Sequence, residues 1–274
     1  MNYLPTFALQ RTAGGAARLV GMPIGSGALA RALAPDGRLR AAINVGNPIL
    51  AQRDAATGEA SGVSVDLARA LGGELNVEVA LILFERAALS VDAVRSEQAD
   101  VGFFAVDPAR AEGLRFTAPY VLIEGSYLVP GDSALQDNAG VDRPGNRVAV
   151  GQGSAYDLFL SRELRAAHLE RVPNAPAVLQ AVQAGQVEVA AGIRQLLERW
   201  ASEDPSLRLL PGRFMVIEQA MGMPAGRGGA AAEALGEFIE RMKSSGFVAE
   251  ALARHGVDGA SVAPPRSDGS QRKG

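Results

Sequence analysis

The residues able to carry covalent chemistry are few and scattered. The two histidines, His168 and His255, stand far apart in polar segments predicted as helix ends, and their spacing fits no metal site. With no cysteine, thiolate nucleophiles, disulfides and Cys-ligated zinc are excluded. Gly151-Gln152-Gly153-Ser154 looks like the opening of a dinucleotide loop, but Tyr156 stands where the third glycine belongs and would obstruct a pyrophosphate. Neither a phosphate-loop nor a serine nucleophile-elbow signature occurs. Nothing in the inventory calls for a cofactor. Carboxylates are plentiful, so acid–base catalysis by a carboxyl group stays open on inventory alone.

Binding chemistry is better represented. Gly62-Val63-Ser64-Val65-Asp66-Leu67-Ala68 opens a helix after a glycine turn. Asp107-Pro108-Ala109-Arg110 precedes Phe116-Thr117-Ala118-Pro119-Tyr120, and the segment from Val148 to Ser154 sets Gly-Gln-Gly-Ser between a strand and a helix. Arg110 falls at a helix start, where a positive charge opposes the helix dipole, so its placement asks for a reason. Ser154 falls at a second helix start, where a hydroxyl is an ordinary N-cap.

The elements that position these residues follow from periodicity. Strands are predicted at residues 39–45, 77–83, 100–104, 126–129, 147–150, 187–191, 207–210 and 215–220. Helices are predicted at 62–71, 87–96, 154–166, 178–184, 193–202, 230–243 and 247–254. This alternation specifies an α/β architecture with largely parallel sheets. A short repeat bears on their number: Ala93-Val94, Gln98 and Asp100-Val101 match Ala181-Val182, Gln186 and Glu188-Val189 at the same spacing. Each copy is a helix end, a turn, and an apolar strand opened by an acid, which two similar lobes explain better than one sheet.

Hydrophobic residues make up 47% of the 274, enough for a sizeable core, and net charge is −3 with both signs interspersed. A nucleic-acid partner would need a basic face, and none is expected. No apolar run reaches the roughly 20 residues of a membrane span. Residues 1–38 read as a leader or flexible segment. Arg11 and Arg18 before an apolar stretch suggest a signal peptide, but Gly, Pro and Ser interrupt that stretch. Residues 263–274 read as a disordered tail.

The three binding stretches, in this order and spacing, resemble the family-3 periplasmic solute-binding proteins of ABC importers, the polar amino-acid-binding proteins. The resemblance runs from about residue 39 to residue 262. It implies a type II, two-lobed fold of two mostly parallel sheets flanked by helices, with the ligand cleft between the lobes. Lobe 1 would comprise 39–121 and 218–262, and lobe 2 residues 122–217. It also implies a monomer in the periplasm, with a small carboxylate-bearing ligand and a membrane permease as partners. In such proteins an arginine after the lobe 1 strand holds the ligand's carboxylate, and Arg110 falls there. A guanidinium suits that role because its fork donates two parallel hydrogen bonds. Ser154, flanked by Gly153 and Ala155, falls on a second carboxylate position.

Departures from the family pattern narrow the ligand. Phe103 and Ala105 replace the hydroxyl residues expected before the arginine, and Phe103 and Phe104 alternate as one core residue and one pocket floor. Asn44 and Asn47 are the uncharged hydrogen-bonding residues of a first loop that lacks the usual aromatic cap. Ile193 replaces the acid that pairs with an α-ammonium, and Arg194 follows it. If Arg194 points into the cleft beside Arg110, the pair favours a dianion; otherwise Asp157 is available as an anion. The rival reading is an enzyme on the same scaffold, similar to cyclohexadienyl dehydratases, with Glu85 as its acid. A sensor module of a signalling protein is a third, weaker reading.

Overall fold

The computed structural model describes residues 26–266. Its first half builds a sheet from three parallel strands. β1 (Arg38–Asn44) is central, pairing with β4 (Glu78–Phe84) on one side and β5 (Val101–Ala105) on the other. Leu39, Ala41, Ala42 and Ile43 of β1 are all buried, as expected of a strand covered on both faces. Before β4 come the short hairpin of β2 (Gln52–Arg53) and β3 (Ala60–Ser61) and the helix α2 (Val63–Leu75). Gly62, at φ 128°, starts that helix where a Cβ would lie 2.4 Å from the carbonyl oxygen of Leu50. Val63, Leu67, Leu71 and Leu75 then recur at helical spacing and face the core. Helix α3 (Ala87–Arg95) covers the other face through Val91 and Val94.

The second half repeats the plan. After β6 (Leu114–Phe116) and the long β7 (Val121–Pro130), β8 (Arg147–Gly151) lies between β9 (His168–Val172) and β10 (Val189–Ile193), all parallel. Helices α4 (Ala155–Glu163), α5 (Ala175–Gln183) and α6 (Arg194–Glu203) accompany them. β11 (Leu207–Leu209) and β12 (Met215–Pro224) lead back, and α7 (Gly229–Ser244), α8 (Phe247–Arg254) and β13 (Ser261–Val262) finish the first lobe. α1 (Ser26–Leu33) packs against α7.

The repeat seen in the sequence has a structural counterpart in both lobes. In the first, Asp100 accepts from the backbone N–H of Arg40 at 2.9 Å and from its guanidinium at 2.7 and 3.0 Å. In the second, Glu188 holds Arg147 through the same three donors at 2.7, 3.1 and 2.7 Å. Each acid thus registers the edge of its strand pair, β1 with β5 and β8 with β10.

The two sheets are hydrogen-bonded into one path, β4-β1-β5-β12-β7-β10-β8-β9. The connecting strands β7 and β12 pair antiparallel from Gly125↔Met215 to Val121↔Gln219 before each continues beside its own lobe. Two extended strands leave no break in the ladder, so the lobes are joined by a continuous backbone crossing.

Three sequence expectations need correction. Of the expected leader, residues 1–25 lie outside the described residues, but 26–33 form α1, with Leu33 and Ala34 buried in the core. Of the expected tail, 267–274 lie outside the described residues. Ala263, however, is buried, and the Pro264 carbonyl accepts from the buried Lys243 at 2.9 Å. His168 opens a strand rather than ending a helix. The cause is common to all three: local composition does not reveal which segment a distant helix or strand will cover.

Candidate functional site

The carboxyl ends of the parallel strands in both lobes face one another across a cavity of about 550 Å³. Open α/β sheets bind ligands at this end, where the loops diverge. One wall carries Asn44 ending β1, Glu85 and Arg86 after β4, and Phe103, Phe104 and Ala105 at the end of β5; the other carries Gly151 ending β8, residues 152 and 154–156 after it, residues 173–176 at the start of α5, and Ile193 ending β10.

Arg110 is the buried charge of this site. Asp107 caps the short 3-10 turn over Pro108–Arg110 by accepting from the N–H of Ala109 at 2.8 Å, which aims the arginine inward. Only 4% of Arg110 is exposed. Its guanidinium donates to the carbonyl oxygens of Ala105 at 3.1 Å and of Gly153, across the cleft, at 2.9 Å. Among the described residues it makes no ion pair. Burial lowers its pKa from the ordinary guanidinium value to about 10, against the opposing field of Asp107. Asp107 is itself bound by Arg162 of the other lobe at 2.8 and 3.2 Å, so its charge is largely spent there.

Ser154 is the N-cap of α4, accepting from the N–H of Asp157 at 3.1 Å, and it lines the cavity together with Ala155. The N-cap role is therefore met, by a side chain that also stands in the cavity wall. Asn44 and Asn47 also line the cavity while their side-chain oxygens brace the first loop, accepting from Gly46 at 3.1 Å and Ile49 at 3.3 Å. Phe103 and Phe104 both border the cavity and both are core residues: Phe103 meets Tyr120 edge-on, and Phe104 meets Phe116. Glu85 lines the cavity with its side chain exposed.

Two expected ligand contacts are not in the wall. Arg194 turns away from the cleft, donates to Glu124 of β7 at 2.7 Å, and approaches Glu198 at 3.5 Å. As the first residue of α6 it projects to the opposite side from Ile193, which remains in the wall, so the pairing of Arg194 with Arg110 is ruled out. Gly153, at φ 72°, is not a wall residue: its N–H donates to Asp157 at 2.8 Å, its carbonyl accepts from Arg110, and a Cβ on it would meet Ala88 of the other lobe at 3.1 Å. Asp157 is no spare anion, because it is buried and bound by Arg171 at 2.9 Å as well as by Gly153.

Sequence reasoning missed Arg86, Ser64, Gln152, Asn174 and Gln219, all in the wall. Asn174-Ala175-Pro176 carries the signal of a helix start, and Asn174 does cap α5 by accepting from Ala177 at 3.0 Å. Gln219 was discoverable as a polar residue in phase with Ile217 and Met221, the inward positions of an apolar strand.

Among the described residues no group of His, Asp and Glu could hold a metal ion, and no helix is long and apolar enough to cross a membrane. Two lobes, two crossing strands and a polar cleft at the strand ends define a two-lobed solute-binding protein. The chain belongs to the bacterial extracellular solute-binding proteins, family 3, whose model matches residues 39–257. No curated protein sequence matches it. Among solved structures it is similar to the solute receptor for L-cysteine of Neisseria gonorrhoeae, with a TM-score of 0.71 and 24% identity over 82% of this chain and 92% of that one. An amino acid ABC transporter substrate-binding protein of Streptococcus pneumoniae bound to L-arginine has a TM-score of 0.70 and 19% identity over 82% and 97% of the two chains. An ancestral amino-acid-binding protein, a precursor of cyclohexadienyl dehydratase, has a TM-score of 0.68 and 18% identity over 82% and 98%.

Proposed function

We propose that this protein captures a small carboxylate-bearing solute between its lobes, outside the cytoplasmic membrane, and delivers it as a monomer to the permease of an ABC importer. The lobes, residues 39–121 with 218–262 and residues 122–217, open and close about the β7–β12 crossing. Arg110 holds the carboxylate.

One observation carries this reading: Arg110 is buried, lines the cavity and has only neutral carbonyl partners. A charge withdrawn from water costs several kcal/mol unless an opposite charge answers it. The ligand's carboxylate is that opposite charge. A similar fold bound to L-arginine and another that is a solute receptor for L-cysteine support a ligand of this size. The test is a thermal-shift screen of amino acids, short organic acids and inorganic anions against wild type and Arg110→Ala. At a hundredfold excess over Kd a ligand raises the midpoint by roughly 5–10 °C in a chain of this size. Carboxylates stabilising the wild type and not the variant support the reading, and stabilisation only by uncharged solutes overturns it.

A further inference from the structure

Arg110 is not the only polar side chain of the cavity wall available to a ligand. Gln219 is 5% exposed, lies in the cavity wall, and its side-chain amide has no hydrogen-bond partner among the described residues. Its backbone is spent elsewhere, the carbonyl accepting from the N–H of Tyr120 at 2.7 Å. A primary amide has two N–H donors and an acceptor oxygen, and here they are left to the cavity and not to another side chain or the backbone. Such a group facing a binding cavity is free to meet the molecule that fills the cavity.

The strand register sets Gln219 beside the carboxylate anchor. Gln219 pairs with Ala105 across β12 and β5, and the Ala105 carbonyl is the one that accepts from Arg110 at 3.1 Å. The two groups therefore flank one residue. Charge decides what the amide can read. Ile193 and Ile217 in the wall are apolar, and the one acid there, Glu85, is exposed. A buried ammonium needs a full counter-charge, which a neutral amide does not supply. A hydroxyl needs one donor and one acceptor, and an amide offers both.

We propose that Gln219 is a specificity-determining residue that reads a hydroxyl group on the ligand, so that the site takes hydroxycarboxylic acids in preference to the corresponding α-amino acids. This rests on the carboxylate reading of Arg110. The hinge location adds a consequence. Gln219 pairs with Val121 in the β7–β12 crossing, so the contact is made at the centre of the closing motion.

The test is calorimetry with matched pairs, both enantiomers of lactate, glycerate and 2-hydroxyglutarate against those of alanine, serine and glutamate. In the wild type the hydroxy acid of at least one pair binds tenfold or more tighter than its amino acid. Gln219→Met, similar in volume but without the amide, reduces that ratio below threefold at a near-native melting temperature. Gln219→Glu, which supplies an anion, shifts the preference toward the amino acid. Amino acids preferred by the wild type, or an unchanged ratio in Gln219→Met, overturn the proposal; so does a wild type that binds other acids but none of these. If Arg110→Ala still abolishes binding of those acids, this inference alone has failed. If no carboxylate of any kind binds the wild type, the Arg110 reading fails with it.

Discussion

Arg110 donates across the cleft to the carbonyl oxygen of Gly153 at 2.9 Å, so the buried cation of lobe 1 holds the loop after β8 in lobe 2. The residue proposed to capture the ligand thus also makes a lobe contact. Gly153 keeps that carbonyl in place through its positive φ and through its N–H bond to Asp157.

The first prediction follows from this double role. Arg110→Ala keeps the fold, because no charged partner is left stranded, but weakens binding of a stabilising acid by roughly 2–4 kcal/mol. Arg110→Lys retains the charge without the fork and falls between the two. Calorimetry on variants with native-like circular dichroism checks both, and wild-type affinity in Arg110→Ala removes the assignment.

A second prediction concerns pH. Burial holds Arg110 at about 10 in the folded protein, below the ordinary guanidinium value. The protonated form binds the carboxylate, so affinity is flat in pH through neutrality and falls as pH rises through 10, by up to tenfold per unit. For the ligand-free fold the sign is opposite. A depressed cation disfavours folding below pH 10, and that penalty is relieved as pH rises from 10 toward the ordinary guanidinium value. Binding isotherms from pH 7 to 10.5 should show the decline, with proton uptake on binding at the upper end.

A third prediction uses the clasp between Arg162 on α4 and Asp107. The carboxylate is 5% exposed on its side chain and the guanidinium 42%, so the pair contributes about 1 kcal/mol or less to holding the lobes together. Arg162→Ala weakens ligand binding by roughly threefold to fivefold and enlarges the ligand-free radius of gyration. Small-angle scattering with and without ligand measures this. Identical radii in every state would mean that the cavity is rigid.

The fourth prediction is that prephenate and arogenate are not converted. Glu85 lines the cavity, but its side chain is exposed and has no hydrogen-bond partner among the described residues to orient it. A general acid must be held within hydrogen-bond reach of its target. Product formation that Glu85→Gln abolishes would assign a dehydratase instead.

How much was legible in the sequence depends on the range of the interaction. Helix and strand periods are local, so α2, α3, α7 and α8 and the apolar strands β1, β5, β8 and β10 were readable within a residue or a few of their bounds. The acid-led repeat at Asp100 and Glu188 was readable because each acid serves a strand pair of the same pattern in its own lobe. Arg110, Ser154 and Ile193 were singled out through the family resemblance and Asn44 and Asn47 as polar residues of the first loop, and all five line the cavity because they lie at or near the strand ends that an α/β sheet turns toward one side.

The tertiary structure decided the rest. Arg194 and Ile193 are neighbours in sequence, yet the helix start sends one to Glu124, 70 residues away, and the other into the cleft. Gln219 became a wall residue through its pairing with Ala105 and Val121, contacts set by the return of the chain from lobe 2. Leu33 gained a core to enter only once α7 had folded beside α1. The amino-acid order determines which segments are helices and strands and where loops place polar groups. Which side chains meet across the cleft is determined by closure of the sheet through β7 and β12, since partners so distant in the chain carry no shared local period.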